Sequence, residues 1–315
     1  MNMIRPLSRI MRAAAPALSL ACVLLLGACG LDEHGMVLVV DHSYVPAITA
    51  TTRDGIDRPD GILWWHGELI MADEGGSALR IWNNAHDVKT LCDASLGIRE
   101  PEDLVVDNAG NIFFTDDTAG GLYEVDNNGH ASVVVSKGKG LFSTEGIALA
   151  PSGDILVGDG VRHEVFSVSR NGKISPFLTA ARGITKPESM VYDDRGNLYI
   201  ADNHDDVLYR LTPSMKLERV LENRPDFSPE TIWYANHVLY LTDSKNGKLS
   251  RYTAENGLEA IAAFAGKLHN VCGITTDDQG LLYVSIQDDA DRQGYIVRLG
   301  HELTKDALPL ASRRR

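Results

Sequence analysis

A unit of 42 or 43 residues recurs six times along this chain, and few folds can accommodate such a period. Its markers are Pro59-Asp60-Gly61, Pro101-Glu102-Asp103, Thr144-Glu145-Gly146, Pro187-Glu188-Ser189, Pro229-Glu230-Thr231 and Val271-Cys272-Gly273. The central residues stand 42, 43, 43, 42 and 42 positions apart. A second column follows 13 or 14 residues later at Asp73, Asp116, Asp159, Asp202 and Asp243, with Ile286 as its sixth member. Within the unit from Pro101 to Ser136, the runs LVVD, NIFFTD, LYEV and SVVVS are alternating, β-branched or aromatic, and Asn, Asp and Gly fill the gaps. That is the pattern of strands joined by tight turns. Four such strands form a small sheet that cannot bury its own faces, so copies of it must stack around an axis. The expected fold is all-β: a six-bladed β-propeller of four-stranded antiparallel blades.

The ends of the chain read differently. Arg5, Arg9 and Arg12 precede an uncharged, mostly apolar run from Ala13 to Ala28. This is the pattern of a secretory signal over residues 1–28, too short and wrongly flanked for a spanning helix. Its last residues, Leu26-Gly27-Ala28-Cys29, resemble the bacterial lipoprotein box, which implies lipidation of Cys29 and a periplasm-facing anchor. Gly30 lacks the acidic character that retains some lipoproteins at the inner membrane, which favours the outer one. Residues 29–56 form a lead-in, 57–300 the propeller and 301–315 a tail. A ring with an open sheet edge invites pairing with other chains, so an N-terminal strand is expected to close it. Met36 to Val40 is the candidate, as the outer strand of the last blade.

Loss of the three leader arginines leaves 27 basic against 43 acidic residues, a net charge near −16. Such a surface repels phosphate backbones, which excludes nucleic acid as a natural partner. A small molecule or an envelope protein is expected instead, with the membrane reached only through the lipid and the chain a monomer. Beyond Cys22 and Cys29 only Cys92 and Cys272 remain, one on an outer and one on an inner strand. They are too far apart to bridge, and two free thiols follow.

Inner strands line the axis of a propeller, so Asp60, Glu102, Glu145, Glu188 and Glu230 should ring one mouth of the channel. Five carboxylates there need protons, donors or a cation, and a hard divalent ion such as calcium is the natural compensator. They are candidate metal ligands, Glu145 and Glu188 also candidate catalytic carboxylates, against the plainer reading in which each acid serves its own blade. The second column reads as structural, each Asp bonding turn amides. Blade six breaks both columns with Cys272 and Ile286. A buried inert thiol at Cys272 is expected over a nucleophile paired with His269. Of Trp64 and Trp65, one is expected in the core and one against a ligand pocket. His204 with Asp205 and Asp206 is expected to be solvated. No GxSxG, HExxH, Walker or dinucleotide motif occurs.

The units DLVVDNAGNIFFTDDTAGGLYEVD and SMVYDDRGNLYIADNHDDVLYRL are similar to NHL repeats. They also resemble the blades of the gluconolactonase group (senescence marker protein, regucalcin) and of strictosidine-synthase-like proteins. The resemblance covers Asp57 to Gly300 and implies a ligand-binding or calcium-binding propeller. For the gluconolactonases it implies a divalent ion at the channel mouth, with Asp60 matching their PDG opening and Glu145 their acidic opening; their Asn ligand has no counterpart among the six openings. For strictosidine-synthase-like proteins it implies a channel Glu, which Glu102, Glu188 or Glu230 could supply. Three functions follow as expectations. The first is an exported, lipid-anchored binding protein, with or without a divalent cation. The second is a metal-dependent lactone or ester hydrolase, with Asp60, Glu145 and Glu188 as ligands. The third is a non-catalytic envelope scaffold.

Overall fold

A computed structural model describes residues 36–83 and 88–301. The expected signal, the Cys29 lipidation site and the tail beyond His301 lie outside the described residues. Two strands of the lead-in come first, β1 (Val37–Val39) and β2 (Tyr44–Thr51). Blade one then runs β3 (Pro59–Trp65), β4 (Glu68–Asp73), β5 (Ala78–Trp82) and β6 (Val88–Cys92) from axis to rim. Blade two is β7 (Pro101–Val106), β8 (Ile112–Asp116), β9 (Gly121–Val125) and β10 (Ala131–Val135). Blade three is β11 (Thr144–Leu149), β12 (Ile155–Asp159), β13 (Glu164–Val168) and β14 (Ile174–Leu178). Blade four is β15 (Pro187–Tyr192), β16 (Leu198–Asp202), β17 (Val207–Leu211) and β18 (Leu217–Leu221). Blade five holds β19 (Ile232–Ala235), β20 (Val238–Asp243), β21 (Lys248–Thr253) and β22 (Gly257–Phe264). Blade six holds β23 (Asn270–Thr276), β24 (Leu282–Asp288) and β25 (Gln293–His301).

An N-terminal strand closes the ring, but not the expected one. β2 is the outer strand of blade six, pairing antiparallel with β25 from Tyr44 opposite His301 to Thr51 opposite Tyr295. Met36 to Val40 instead falls at β1, which adds a fifth strand to blade five by pairing with β22, Val37 opposite Phe264. The reason lies in Pro46. It weakens the strand signal of YVPAITAT, yet an outermost strand tolerates a residue that has no N–H to donate. The lead-in therefore clasps two neighbouring blades, and Val37 and Val39 are fully buried in the core between them.

The core is segmented as the repeat requires. Blades one and two enclose Leu63, Ile70, Leu104, Phe114 and Tyr123. Blades two and three enclose Phe113, Leu122, Ile147 and Phe166. Comparable clusters occupy the other interfaces, with blades six and one joined through Ile62, Trp82 and Tyr283. Each blade thus packs only on its neighbours, which lets a long chain fold without one oversized core.

Candidate functional site

The ring acids owe their position to a β-bulge repeated in blade after blade. In β3, Pro59 pairs with Asp73 and pairing resumes only at Ile62 opposite Met71. The same slip separates Pro101 from Leu104, Thr144 from Ile147, Pro187 from Ser189 and Val271 from Ile274. An extra residue bends the strand and re-aims the side chains beside it; the slips hold Asp60, Glu102, Glu145, Glu188 and, in blade six, Cys272, whereas Glu230 precedes its strand. Close approach between blades depends on small residues nearby: a Cβ on Gly146 would stand 2.7 Å from Ser189 Cα, and one on Gly61 only 2.3 Å from the Glu102 carbonyl oxygen.

The structure gathers the sequence-derived candidates but does not treat them alike. Glu102, Glu145 and Glu188 converge, with carboxylate oxygens within 4.8 Å of one another. Lys186 Nζ stands 2.8 Å from Glu188 Oε2 and 3.5 Å from Glu145 Oε1. Ser143 Oγ donates to Glu145 Oε1 at 3.2 Å. Asp60 stands apart from this trio, accepting from Gln287 Nε2 at 3.2 Å, and that amide also donates to Glu74 at 2.8 Å. Glu230 is held by Asn203 Nδ2 at 3.2 Å and Ser244 Oγ at 2.5 Å. Among the described residues, Glu102 alone of the five has neither a hydrogen-bond donor nor an ion-pair partner on its carboxylate, Glu188 having the Lys186 pair but no hydrogen bond.

Burial and mutual repulsion govern the titration of this mouth. Burial raises Asp60 well above the usual carboxylate range, and Glu230 and Glu74 raise it further. Burial does the same to Glu102, reinforced by Asp60, Glu145 and Glu188, with no donor opposing it. Glu188 is raised by burial and by Glu230 and Glu145, against the pull of Lys186. Glu145, only 3% exposed, is pushed by burial to about 7, Lys186 limiting the rise. Burial disfavours the charge on Lys186, yet Glu188 and then Glu145 outweigh it and hold the ammonium above its usual range. One step down the axis, burial pushes Asp103 to about 7 even though Leu104 N donates to it at 2.8 Å and Ser189 Oγ at 3.3 Å.

The second column has the structural role that its turns imply. Asp116 accepts from Arg99 N at 2.7 Å, Glu100 N at 3.2 Å and Ala119 N at 2.6 Å. Asp159 accepts from Phe142, Val161 and Arg162 amides, and Asp202 from Thr185 and Asp205 amides. Asp73 takes the Asp57 amide and Arg80, and Asp243 takes Ser228 and Asn246. Asp116, Asp159, Asp202 and Asp243 therefore tie the turn after their strand to the segment that leads into the inner strand, and Asp73 ties that segment to Arg80 of β5.

The repeat pattern did not single out a third column, one residue beyond the second: Glu74, Asp117, Gly160, Asn203, Ser244 and Gln287. Four of its members bond ring acids or the residues that orient them, Gln287, Asn203 and Ser244 as above and Asp117 through Ser143 Oγ. A hydroxyl column one residue earlier is also functional in packing. Thr115, Thr242 and Ser285 donate across blade boundaries to the carbonyls of Glu145, Cys272 and Asp60. Register against the second column would have found both sets, but their residue types vary too much to read as columns.

The remaining candidates are resolved as follows. Cys272 is 3% exposed, and burial with Asp60 and Glu230 nearby raises its thiol well above the ordinary value. Cys92 is also free and buried, and burial pushes it to about 11. Neither Trp faces the acid ring, because both end an inner strand that starts there. Trp64 stacks on Tyr283 at 5.1 Å between ring centroids, and Trp65 packs on the blade one–two core with His66 against its edge. His204 is exposed and pairs with Asp205 at 3.0 Å.

No family model matches the sequence, and no curated protein matches it either. Solved structures do match. A gluconolactonase from Xanthomonas campestris superposes with a TM-score of 0.67 and 14% identity over 82% of this chain and 90% of its own. A catalytically inactive virginiamycin B lyase from Staphylococcus aureus, solved with quinupristin, gives 0.65 and 16% over 82% of this chain and all of its own, 100%. Regucalcin from Agrobacterium tumefaciens, described as calcium-binding, gives 0.64 and 14% over 82% and 94%. The chain has their fold. At such identity the likeness concerns architecture, and the chemistry has to be read from the mouth itself.

Proposed function

We propose that this protein binds a divalent cation, calcium by preference, at the channel mouth through Glu102, Glu145 and Glu188, and holds a small ligand there. The carrying observation is the convergence of three carboxylates within 4.8 Å, one of which, Glu102, has no donor among the described residues. The donor set suits a hard cation: all-oxygen, anionic and tolerant in geometry. Such an ion would replace the protons that burial now keeps on the acids. The expected lipid on Cys29 would present the mouth at the cell envelope. Thermal unfolding of the soluble form (Cys29 replaced) after chelation tests this. Calcium at about 100 times its dissociation constant should add about 2.7 kcal/mol, and Glu188→Gln should remove the response. Equal midpoints with calcium, magnesium, manganese and chelator would refute it.

A second reading, hydrolysis of a lactone or related ester, has one specific support. Glu145, with its pKa near 7, is matched to accept a proton from water at neutral pH. Bound metal would polarise the carbonyl and acidify the water. This reading needs metal-dependent turnover that Glu145→Gln abolishes.

A further inference from the structure

We propose that Lys186 is a built-in counter-cation that occupies the edge of the acid trio and must be displaced when a divalent ion enters; the inference rests on the cation-binding reading above. Three observations carry it. The ammonium stands between two of the three converging carboxylates, 2.8 Å from Glu188 and 3.5 Å from Glu145. Glu188 Oε2 is shut off from solvent and receives no well-formed hydrogen bond from a described residue, so this ion pair is what compensates it. Room for the lysine is provided at one blade only. Gly160 stands where the other five blades carry Glu74, Asp117, Asn203, Ser244 or Gln287. A Cβ there would come within 2.9 Å of Glu145 Oε1 and 3.3 Å of Lys186 Cγ.

Charge then forces an exchange. A divalent ion bound to Glu145 and Glu188 would lie within a few ångströms of the ammonium, where like charges repel strongly in a partly buried site. The lysine side chain is about a third exposed, at 34%, so its flexible stem has solvent to swing into. Lys186 thereby sets the cation concentration at which the mouth fills. Below that threshold the ring is compensated from within; above it the ammonium is released toward solvent, beside whatever ligand sits at the mouth.

Calorimetric titration of the soluble protein with calcium chloride tests this. Lys186→Met should bind calcium more tightly than wild type by about tenfold or more, whereas Lys186→Arg, which keeps the charge, should not. Equal or weaker binding by Lys186→Met, with wild type binding normally, overturns the exchange but leaves the cation site intact. No binding by wild type or either variant overturns the site and the exchange with it. Should Lys186→Met fail to fold, the wild-type protein still decides. The ¹⁵Nζ resonance of Lys186 should report a paired, exchange-protected ammonium without calcium and a solvent-exposed one at saturation. An ammonium that stays protected at saturation sinks the proposal.

Discussion

Two sets of carboxylates run through this propeller, the ring acids 42 or 43 residues apart and the second column 41 or 43, and their fates diverge. The second-column acids are buried, yet Asp116, Asp159, Asp202 and Asp243 each accept from two or three backbone N–H groups, and Asp73 from one with the Arg80 guanidinium beside it. The ring acids at the bulges face one another across the channel and receive at most a few side-chain donors. A carboxylate circled by fixed amides is stable architecture, because the donors belong to the fold and need no ordering. A carboxylate facing others of its kind is incomplete, and its missing partner must be a proton, a lysine or something brought from outside.

The largest effect should come from the architectural set. Asp116→Asn puts an amide N–H among three backbone donors in a fully buried place and should cost about 3 kcal/mol in urea unfolding. A loss under about 1 kcal/mol would mean that those bonds are not what positions the inner strands.

A smaller effect is expected from pH, to which both sets respond, since burial raises Asp73, Asp116 and Asp202 as well as Glu145. Folding raises Glu145 from an ordinary 4.5 to about 7, so between these values the folded state holds a proton that the unfolded chain releases. The stability from that protonated state is complete below about 4.5 and is lost as pH rises through about 7. The cation-free protein should therefore be more stable near pH 5 than near pH 8, by an amount on the order of 2 kcal/mol for one such group. Glu145→Gln should flatten the slope. A stability that rises from pH 5 to 8 would contradict the raised values.

The smallest effect is expected at the ring itself. Glu188→Gln removes one partner of Lys186, whose side chain is about a third exposed and whose ammonium still faces Glu145, and should change cation-free stability by less than about 1 kcal/mol, while abolishing the calcium response. A loss as large as that of Asp116→Asn would erase the distinction between the two sets.

Much of this was open to a reader of the sequence. The period gave six blades because strands too short to bury themselves must stack, and the acid at five of the six openings gave a ring because inner strands face the axis. The closing strand was misread because local pattern favours MVLVV over the Pro-bearing YVPAITAT, and pattern cannot say which sheet edge is vacant. Of the Trp pair expected to divide between core and ligand pocket, both pack against hydrophobic neighbours at the end of β3, whereas the ring acids begin the inner strands.

Lys186, Gly160, Gln287 and Asn203 show the limit most clearly. Each acts on an acid from another strand or another blade, and each appears once at a position where its counterparts differ in type. A repeat identifies what all six units share, since those residues answer to the same local backbone at every turn of the ring. Which carboxylates meet, and which receive a donor, depends on through-space neighbours that range from two residues away, as Ser143 is from Glu145, to 227, as Gln287 is from Asp60. The sequence alone determined six blades and a ring of acids. Only the closed ring decided that Asp60 and Glu230 would be satisfied by neutral donors, Glu145 and Glu188 by a lysine, and Glu102 by none of the described residues, because the distances between blades exist only once the ring has closed.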